Sequence, residues 1–301
     1  MNEICVLMSS YNGERYIRAQ IDSILRQKNC RVHLHVRDDG SVDNTVNILK
    51  EYEKEGVLTL HQGPNLGPAL SFLQLLKETP GYPWYAWADQ DDIWFETKLS
   101  DGMNRLKSLN VPALCYANAE LIDAQGHSMG IQVYREYHPA EKNTIACVGA
   151  LLGCTMVFNQ HLAKCIQQHN LPERIRMHDY YLAQVCLACG GQILYSDTVC
   201  MGYRQHENNV VGIKSGKFAA LKQRIHDMLV IRNPSVADHA KEICQTYQTY
   251  MNTEERKLFS QIAHYKDSLI NRLVLLKLFD GRDVSPSMRL KYRVMILLGR
   301  L

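Results

Sequence analysis

The sequence predicts an α/β fold: an open, mostly parallel sheet flanked by helices, followed by a helical C-terminal extension. Short apolar runs alternate with helical patterns through roughly the first 120 residues. The runs end in polar or acidic clusters, "SSYNGE", "DDGSVDNT" and "DQDD". Beyond residue 214 the character changes to helical and rich in Lys and Arg, which divides the chain into regions 1–213 and 214–301.

The elements follow in order. "ICVLMSS" (4–10) reads as a buried strand, and "GERYIRAQIDSILRQ" sets Ile17, Ile21, Ile24 and Leu25 on one helical face. "RVHLHVRDDGS" alternates as a strand and breaks at Gly40, after which Ser41 or Asp43 is able to cap the next helix. "VLTLHQ" is a third strand, "GPALSFLQLLKE" a helix with Pro68 in its first turn, and "YPWYAWADQDD" a fourth strand. Farther on, "ALCYANAELID" and "LLGCTMVFN" suggest strands, and "DYYLAQVCLACG" a helix opened by Asp179. In a parallel sheet of this rhythm, ligands bind outside the carboxyl ends of the strands, where the three polar clusters fall.

Composition narrows the function classes. With 46% hydrophobic and 22% charged residues, the 301-residue chain is that of an ordinary folded protein. A net charge of +3 gives no argument for nucleic acid as a partner. Ten scattered cysteines lack the spacing of a disulfide scaffold and read as reduced thiols in a cytoplasmic protein. Cys186 and Cys189 could form half of a metal site, but on an apolar helix that spacing more often means core packing. No export signal or membrane-spanning run is visible.

The acidic clusters carry the chemistry. Carboxylates crowded among tryptophans in "WYAWADQDDIW" are costly unless a cation sits between them. Hard oxygens suit Mg2+ or Mn2+, with substrate phosphates completing the shell. On an extended strand Asp89 and Asp91 would point the same way, one to ribose or water and the other to metal, while Asp91 or Asp92 could instead cap a helix over "IWFETKL". An aspartate of "DDGS" could accept the imide N–H of a pyrimidine.

In this order "SSYNGERYI", "QIDSILRQ", "DDGSVDNT", "NLG", "DQDDIW", "GALLGCTMVFN", "HDYYLA" and "YRQHENNVVG" resemble the inverting family 2 glycosyltransferases of GT-A fold, over most of residues 4–212. "ADQDDIW", "HDYYLA" and "YRQH" are most similar to the forms in bacterial rhamnosyltransferases of cell-wall or O-antigen synthesis, which use dTDP-L-rhamnose. The resemblance implies that Asp38 and Asp39 approach the pyrimidine and ribose, beside Ser9, Tyr11 and Glu14. It implies ribose contact for Asp89, metal binding for Asp91, and support from Asp92 and Arg204. Asp179 would be the general base, with His178 an orienting or packing residue, His206 a metal or phosphate contact, and Gly153, Cys154 and Trp94 on the acceptor side. Glu207 and Ser71 depart from the family pattern, which commonly has Gly and Asn there.

Taken without the resemblance, Asp179 reads equally as a carboxylate favouring a helix N-terminus. The expected partners are a nucleotide-sugar donor and a glycan or lipid-linked acceptor, with UDP-sugars as alternative donors. Two other readings are a sugar nucleotidyltransferase, for which "SSYNGERY" lacks a basic Gly-rich loop, and a non-catalytic binding module of the same fold. "INRLVLLKLFDGR" and "MRLKYRVMILLGRL" combine apolar stripes with Arg and Lys. They suit a peripheral contact with the inner membrane face, but packing on protein, including in a homodimer, is the favoured reading.

Overall fold

The computed structural model describes residues 2–134, 140–149, 151–206 and 234–301. The 213/214 boundary and Glu207 lie outside the described residues. The chain forms two compact units, the first of residues 1–137, 152–173 and 191–204, the second of 138–151, 174–190 and 205–301.

In chain order the first unit begins with β1 (Asn2–Ser10), α1 (Ile17–Leu25), β2 (Cys30–Asp38), α2 (Thr45–Lys54), β3 (Leu58–Gln62), α3 (Pro68–Glu78) and β4 (Trp84–Ala88). It continues with β5 (Ile93–Trp94), α4 (Lys98–Leu106), β6 (Ala113–Ile122) and β7 (Ser128–Gln132). After α5 (Lys142–Val148) of the second unit come a 3-10 turn (Gly153–Thr155), β8 (Val157–Asn159) and α6 (Gln160–Gln167). α7 (His178–Ala188) again belongs to the second unit, and β9 (Gln192–Arg204) completes the sheet among the described residues.

The strand order is β3-β2-β1-β4-β8-β6-β9-β5, with β7 added to β6. The expected first four strands are present and mutually parallel. β8 is antiparallel to both β4 and β6, making the sheet mixed. Ser10 pairs with Asp38, Asp38 with Gln62, and Met8 with Ala88, so the first, second and fourth strands end at a common rim. β1 is buried on both faces through Ile4–Met8, as a central strand covered by helices must be. Ile17, Ile21 and Ile24 of α1 enter this core, but Leu25 is exposed: the buried stripe turns away before the helix ends.

Three strands escape the sequence pattern: β5, β7 and β9. "IWFETKL" is not a helix start, since Ile93–Trp94 pairs with β9 and α4 begins only at Lys98 with Thr97 at its N-cap. Neither Asp91 nor Asp92 caps it. Likewise α2 has Asn44, not Ser41 or Asp43, at its N-cap. Asp43 nevertheless accepts the Thr45 N–H at 3.0 Å, a local bond of the capping kind.

The second unit is helical. α7 is buried almost all round, as its lack of a polar face requires. It is joined by α8 (Val236–Tyr247), α9 (Thr253–His264), α10 (Leu269–Leu278) and α11 (Pro286–Leu298). Ser235 with Asp238, and Asn252 with Glu255, form reciprocal capping boxes that satisfy backbone N–H groups at the starts of α8 and α9. Gly299 ends α11 at φ +68°, a conformation glycine adopts without strain. Within this chain the last two helices bury only part of the apolar stripes expected to pack on protein. α10 buries Leu275, and α11 buries Met295 and Ile296, while most of their other leucines face outward. All ten cysteines are free thiols; Cys186 is wholly buried in α7 and Cys189 partly, in keeping with packing.

Candidate active site

The rim is built from three loops tied together by hydrogen bonds from and to their polar side chains. After β2, the Asp38 carboxylate accepts from Gly40 N–H (3.2 Å), Ser41 N–H (2.9 Å), Ser41 O–H (2.6 Å) and Ser10 O–H (3.1 Å). Gly40 turns the chain at φ +87°. Asp38 is therefore the knot of this turn. Asp39, also buried, accepts from the Arg37 guanidinium and from Leu66 N–H at 2.9 Å. Arg37 also donates to Ser71 Oγ (3.1 Å), and Ser9 Oγ donates to the same hydroxyl at 2.7 Å. Ser71 thus links Ser9 to the Arg37–Asp39 pair.

The loop after β1 is fastened to both neighbours. Asn12 N–H donates to Ser41 Oγ, and Glu14 exchanges bonds with the α2 entry, its N–H going to Asp43 and its carboxylate accepting from Asn44 N–H. Tyr11 makes a reciprocal pair with the Gln90 amide, 2.9 Å and 3.0 Å. Gly13 leaves room for that amide: a Cβ there would lie 2.2 Å from Gln90 Oε1 and would have to displace it.

The fourth strand stops at Ala88, so Asp89, Asp91 and Asp92 sit on a loop, not on an extended strand as their spacing suggested. Arg204, at the end of β9, holds this loop: its N–H donates to Asp92 Oδ1 (3.0 Å) and its Nε to the Asp91 carbonyl (2.6 Å). The guanidinium also reaches the Asp123 and Ala124 carbonyls and lies over the Tyr16 ring.

Asp89, Asp92 and Cys154 each offer a ligand atom within 4.8 Å of the others, the one such group found among the described residues. Asp92 is buried, and burial together with Asp91 and Asp89 raises its pKa well above the usual carboxylate range. Its Oδ2 has no oxygen or nitrogen partner among the described residues. Burial, with Asp92 and Asp89, pushes the Cys154 thiol up, so it stays protonated and the hard carboxylate oxygens are the better donors. A divalent cation fits this set: it would relieve the repulsion and occupy the orphaned oxygen.

Lys98 supplies the nearby positive charge that the sequence reading missed. Its ammonium is buried, sits 3.2 Å from the Trp94 ring centroid and has no hydrogen-bond partner among the described residues. Burial lowers its pKa to about 8, opposed by Cys200, Cys154, Asp92 and Asp89. Trp94 is 3% exposed and belongs to the core, and Gly153 and Cys154 lie in the buried 3-10 turn. The clue to Lys98 was its four-residue spacing from Trp94; Arg37 and Gln90 left no comparable pattern.

His178, Asp179 and His206 belong to the second unit. Asp179 is half-buried in the first turn of α7, where its Oδ1 accepts the Tyr180 N–H at 2.7 Å. The N-cap of that helix, Met177, offers no side-chain bond, so a carboxylate here favours the exposed N–H groups electrostatically. Burial lowers the His178 pKa to about 3, leaving a neutral imidazole. His206 is half-buried.

Comparison with known proteins gives this arrangement a context. The family described as "Glycosyl transferase family 2" matches residues 5–178. The "dTDP-rhamnosyl transferase RfbG" of Shigella flexneri is 28% identical over 227 residues, 68% of this chain and 73% of that protein. The "UDP-Glc:alpha-D-GlcNAc-diphosphoundecaprenol beta-1,3-glucosyltransferase WfgD" of Escherichia coli is 28% identical over 226 residues, 73% of this chain and 83% of its own. Among solved structures, the mannosyltransferase PcManGT from Pyrobaculum calidifontis in complex with GDP-Man and Mn2+ aligns with a TM-score of 0.56 at 14% identity, covering 99% of this chain and 86% of that one.

Proposed function

This chain belongs to glycosyl transferase family 2 and has the GT-A fold; from that premise we propose that it moves L-rhamnose from dTDP-β-L-rhamnose to a hydroxyl of a lipid-linked or polysaccharide acceptor, with inversion. The relative RfbG supports the rhamnose donor. The observation that supports the transferase chemistry is that the Asp38–Asp39 turn and the Asp89–Asp92 loop follow the two parallel strands that flank β1 and end at its rim. That is where a nucleotide binds in a sheet of this kind.

Asp39 and Asp89 serve the pyrimidine and ribose, with Ser9, Tyr11 and Glu14 shaping the rim. The carboxylates of Asp89, Asp91 and Asp92 would hold Mg2+ or Mn2+, which supplies charge stabilisation for the departing diphosphate. Arg204 keeps the loop in register for that role through Asp91 and Asp92. An acceptor hydroxyl is far too weak an acid to react unaided, so Asp179 accepts its proton as the glycosidic bond forms. Neutral His178, next in sequence, is suited to orienting that carboxylate and not to replacing it. Attack opposite the leaving group turns a β-linked donor into an α-rhamnoside.

A UDP-glucose donor is the second reading, favoured by WfgD at the same identity. A donor-hydrolysis screen with dTDP-rhamnose, UDP-glucose, UDP-galactose, UDP-N-acetylhexosamines and GDP-mannose separates them. Release of dTDP at least about tenfold faster than UDP supports rhamnose; faster UDP release overturns it in favour of the second reading.

A further inference from the structure

In α9, Leu258, Phe259 and Ile262 are all buried, the ordinary behaviour of an amphipathic helix. The next two helices do the reverse. In α10, Leu269 is 63% and Ile270 72% exposed, and Leu273 is exposed as well; in α11, Leu290 is 64% and Leu298 52% exposed, with Leu297 exposed too. Arg272 Nη1 donates to the Leu297 carbonyl at 3.0 Å, which brings the start of α10 beside the end of α11. The outward leucines thus lie on two adjacent helices. Exposed apolar surface of this kind calls for an occupant.

Charge identifies the occupant. Residues 269–301 contain seven Arg and Lys against two Asp. Both acids are already engaged, Asp280 with Arg282 and Arg289, and Asp283 with the Glu141 N–H and the Thr144 hydroxyl. Cations also lie on the apolar stripes themselves. Lys277 follows Ile270 and Leu273 by seven and four residues and is exposed, and Arg293 stands between Leu290 and Leu297. A two-fold contact with a second copy would set this positive face against itself. An anionic bilayer surface accepts the leucines among its acyl chains and the cations at its phosphates.

We propose that α10 and α11 form an interfacial docking face for anionic phospholipid, through Leu269, Ile270, Leu273, Leu290, Leu297 and Leu298 with Lys277 and Arg293. The helices lie on the surface and do not cross it: no helix among the described residues is long and apolar enough to span a membrane. This inference stands apart from the donor assignment and is independent of it.

Flotation of the full chain with phosphatidylcholine vesicles, with and without about a third phosphatidylglycerol, tests it. The expected result is co-flotation with the anionic vesicles, reduced at least about tenfold by 0.5 M salt as surface charge is screened, roughly, to a 4 Å Debye length. Ile270→Glu with Leu298→Glu is expected to reduce it by a similar factor, and so is Lys277→Glu with Arg293→Glu, which leaves every leucine in place. Donor hydrolysis in vesicle-free solution remains unchanged in both pairs and serves as the control for folding. Absence of flotation, or flotation indifferent to both variant pairs, overturns the proposal. So does a dimer in light scattering that the leucine variants dissolve while vesicles bind nothing, which would assign the face to a second copy.

Discussion

The acidic rim of the first unit and the last two helices of the second depart from ordinary burial in opposite directions. At the rim, Asp38, Asp39 and Asp92 are almost wholly buried; on α10 and α11, leucines and an isoleucine face solvent. The two departures are stabilised differently. Asp38 is surrounded by donors and Asp39 has an internal cation, so their burial is largely compensated within the chain. Asp92 is only half compensated, and the leucines not at all. The difference separates groups that build a site from groups that await a partner.

That contrast can be broken, beginning with the largest effect. Asp179→Asn removes the proposed base while keeping its shape, and kcat should fall by about 10²- to 10⁴-fold with donor binding retained, as read by single-turnover kinetics and calorimetry. Asp91→Ala should reduce turnover about a hundredfold and abolish the rise in melting temperature that Mn2+ gives the native chain, a rise that EDTA reverses. An Asp91→Ala protein still stabilised by Mn2+ would move the cation elsewhere.

Gly13→Ala tests the joint between the β1 loop and Gln90. Its Cβ must displace the Gln90 amide, and we expect about 1–3 kcal/mol of destabilisation in urea titration, with weaker donor binding. Adding Gln90→Ala should recover most of the loss. At the small end, Ile270→Glu should change stability by less than about 0.5 kcal/mol, because the side chain touches little within the chain.

Acid should act on both units. Burial lowers His178 to about 3, His239 to about 4 and His35 to about 4, the last with help from His61 and His33. The folded state thus prefers neutral imidazoles, whereas an unfolded chain protonates them near 6.5. Their contribution is fully present above about pH 6.5 and is lost progressively as pH falls toward 4. The histidine contribution to melting temperature, read as the difference between the native chain and its His178→Gln, His239→Gln and His35→Gln variants, should be flat above that range and decline below it; a histidine-dependent decline on the alkaline side would contradict these environments.

Much of the fold was legible because burial in a parallel sheet imposes short apolar runs with polar ends. Ile4–Met8, the alternation of β2 and Pro68 at the head of α3 are local signals of this kind. β9 was not legible: its pairing with β6 shifts register, and "SDT" interrupts its apolar pattern. β5 is two residues long and exists only because β9 lies beside it. At the site, the residue types were visible but their bonds were not. Asp92 meets Arg204 across 112 positions, and Tyr11 meets Gln90 across 79, contacts that no local spacing encodes. Lys98 was overlooked because a lysine after an acidic run reads as a solvated charge, whereas here it closes over Trp94.

The chain has three tryptophans, two on the strand that leads into the acidic loop and one on the strand that leaves it. Its ultraviolet emission is thus a reporter confined to one neighbourhood. A titration of ions or nucleotides could be followed without any attached dye, and a spectrum that shifts would testify about those few residues alone.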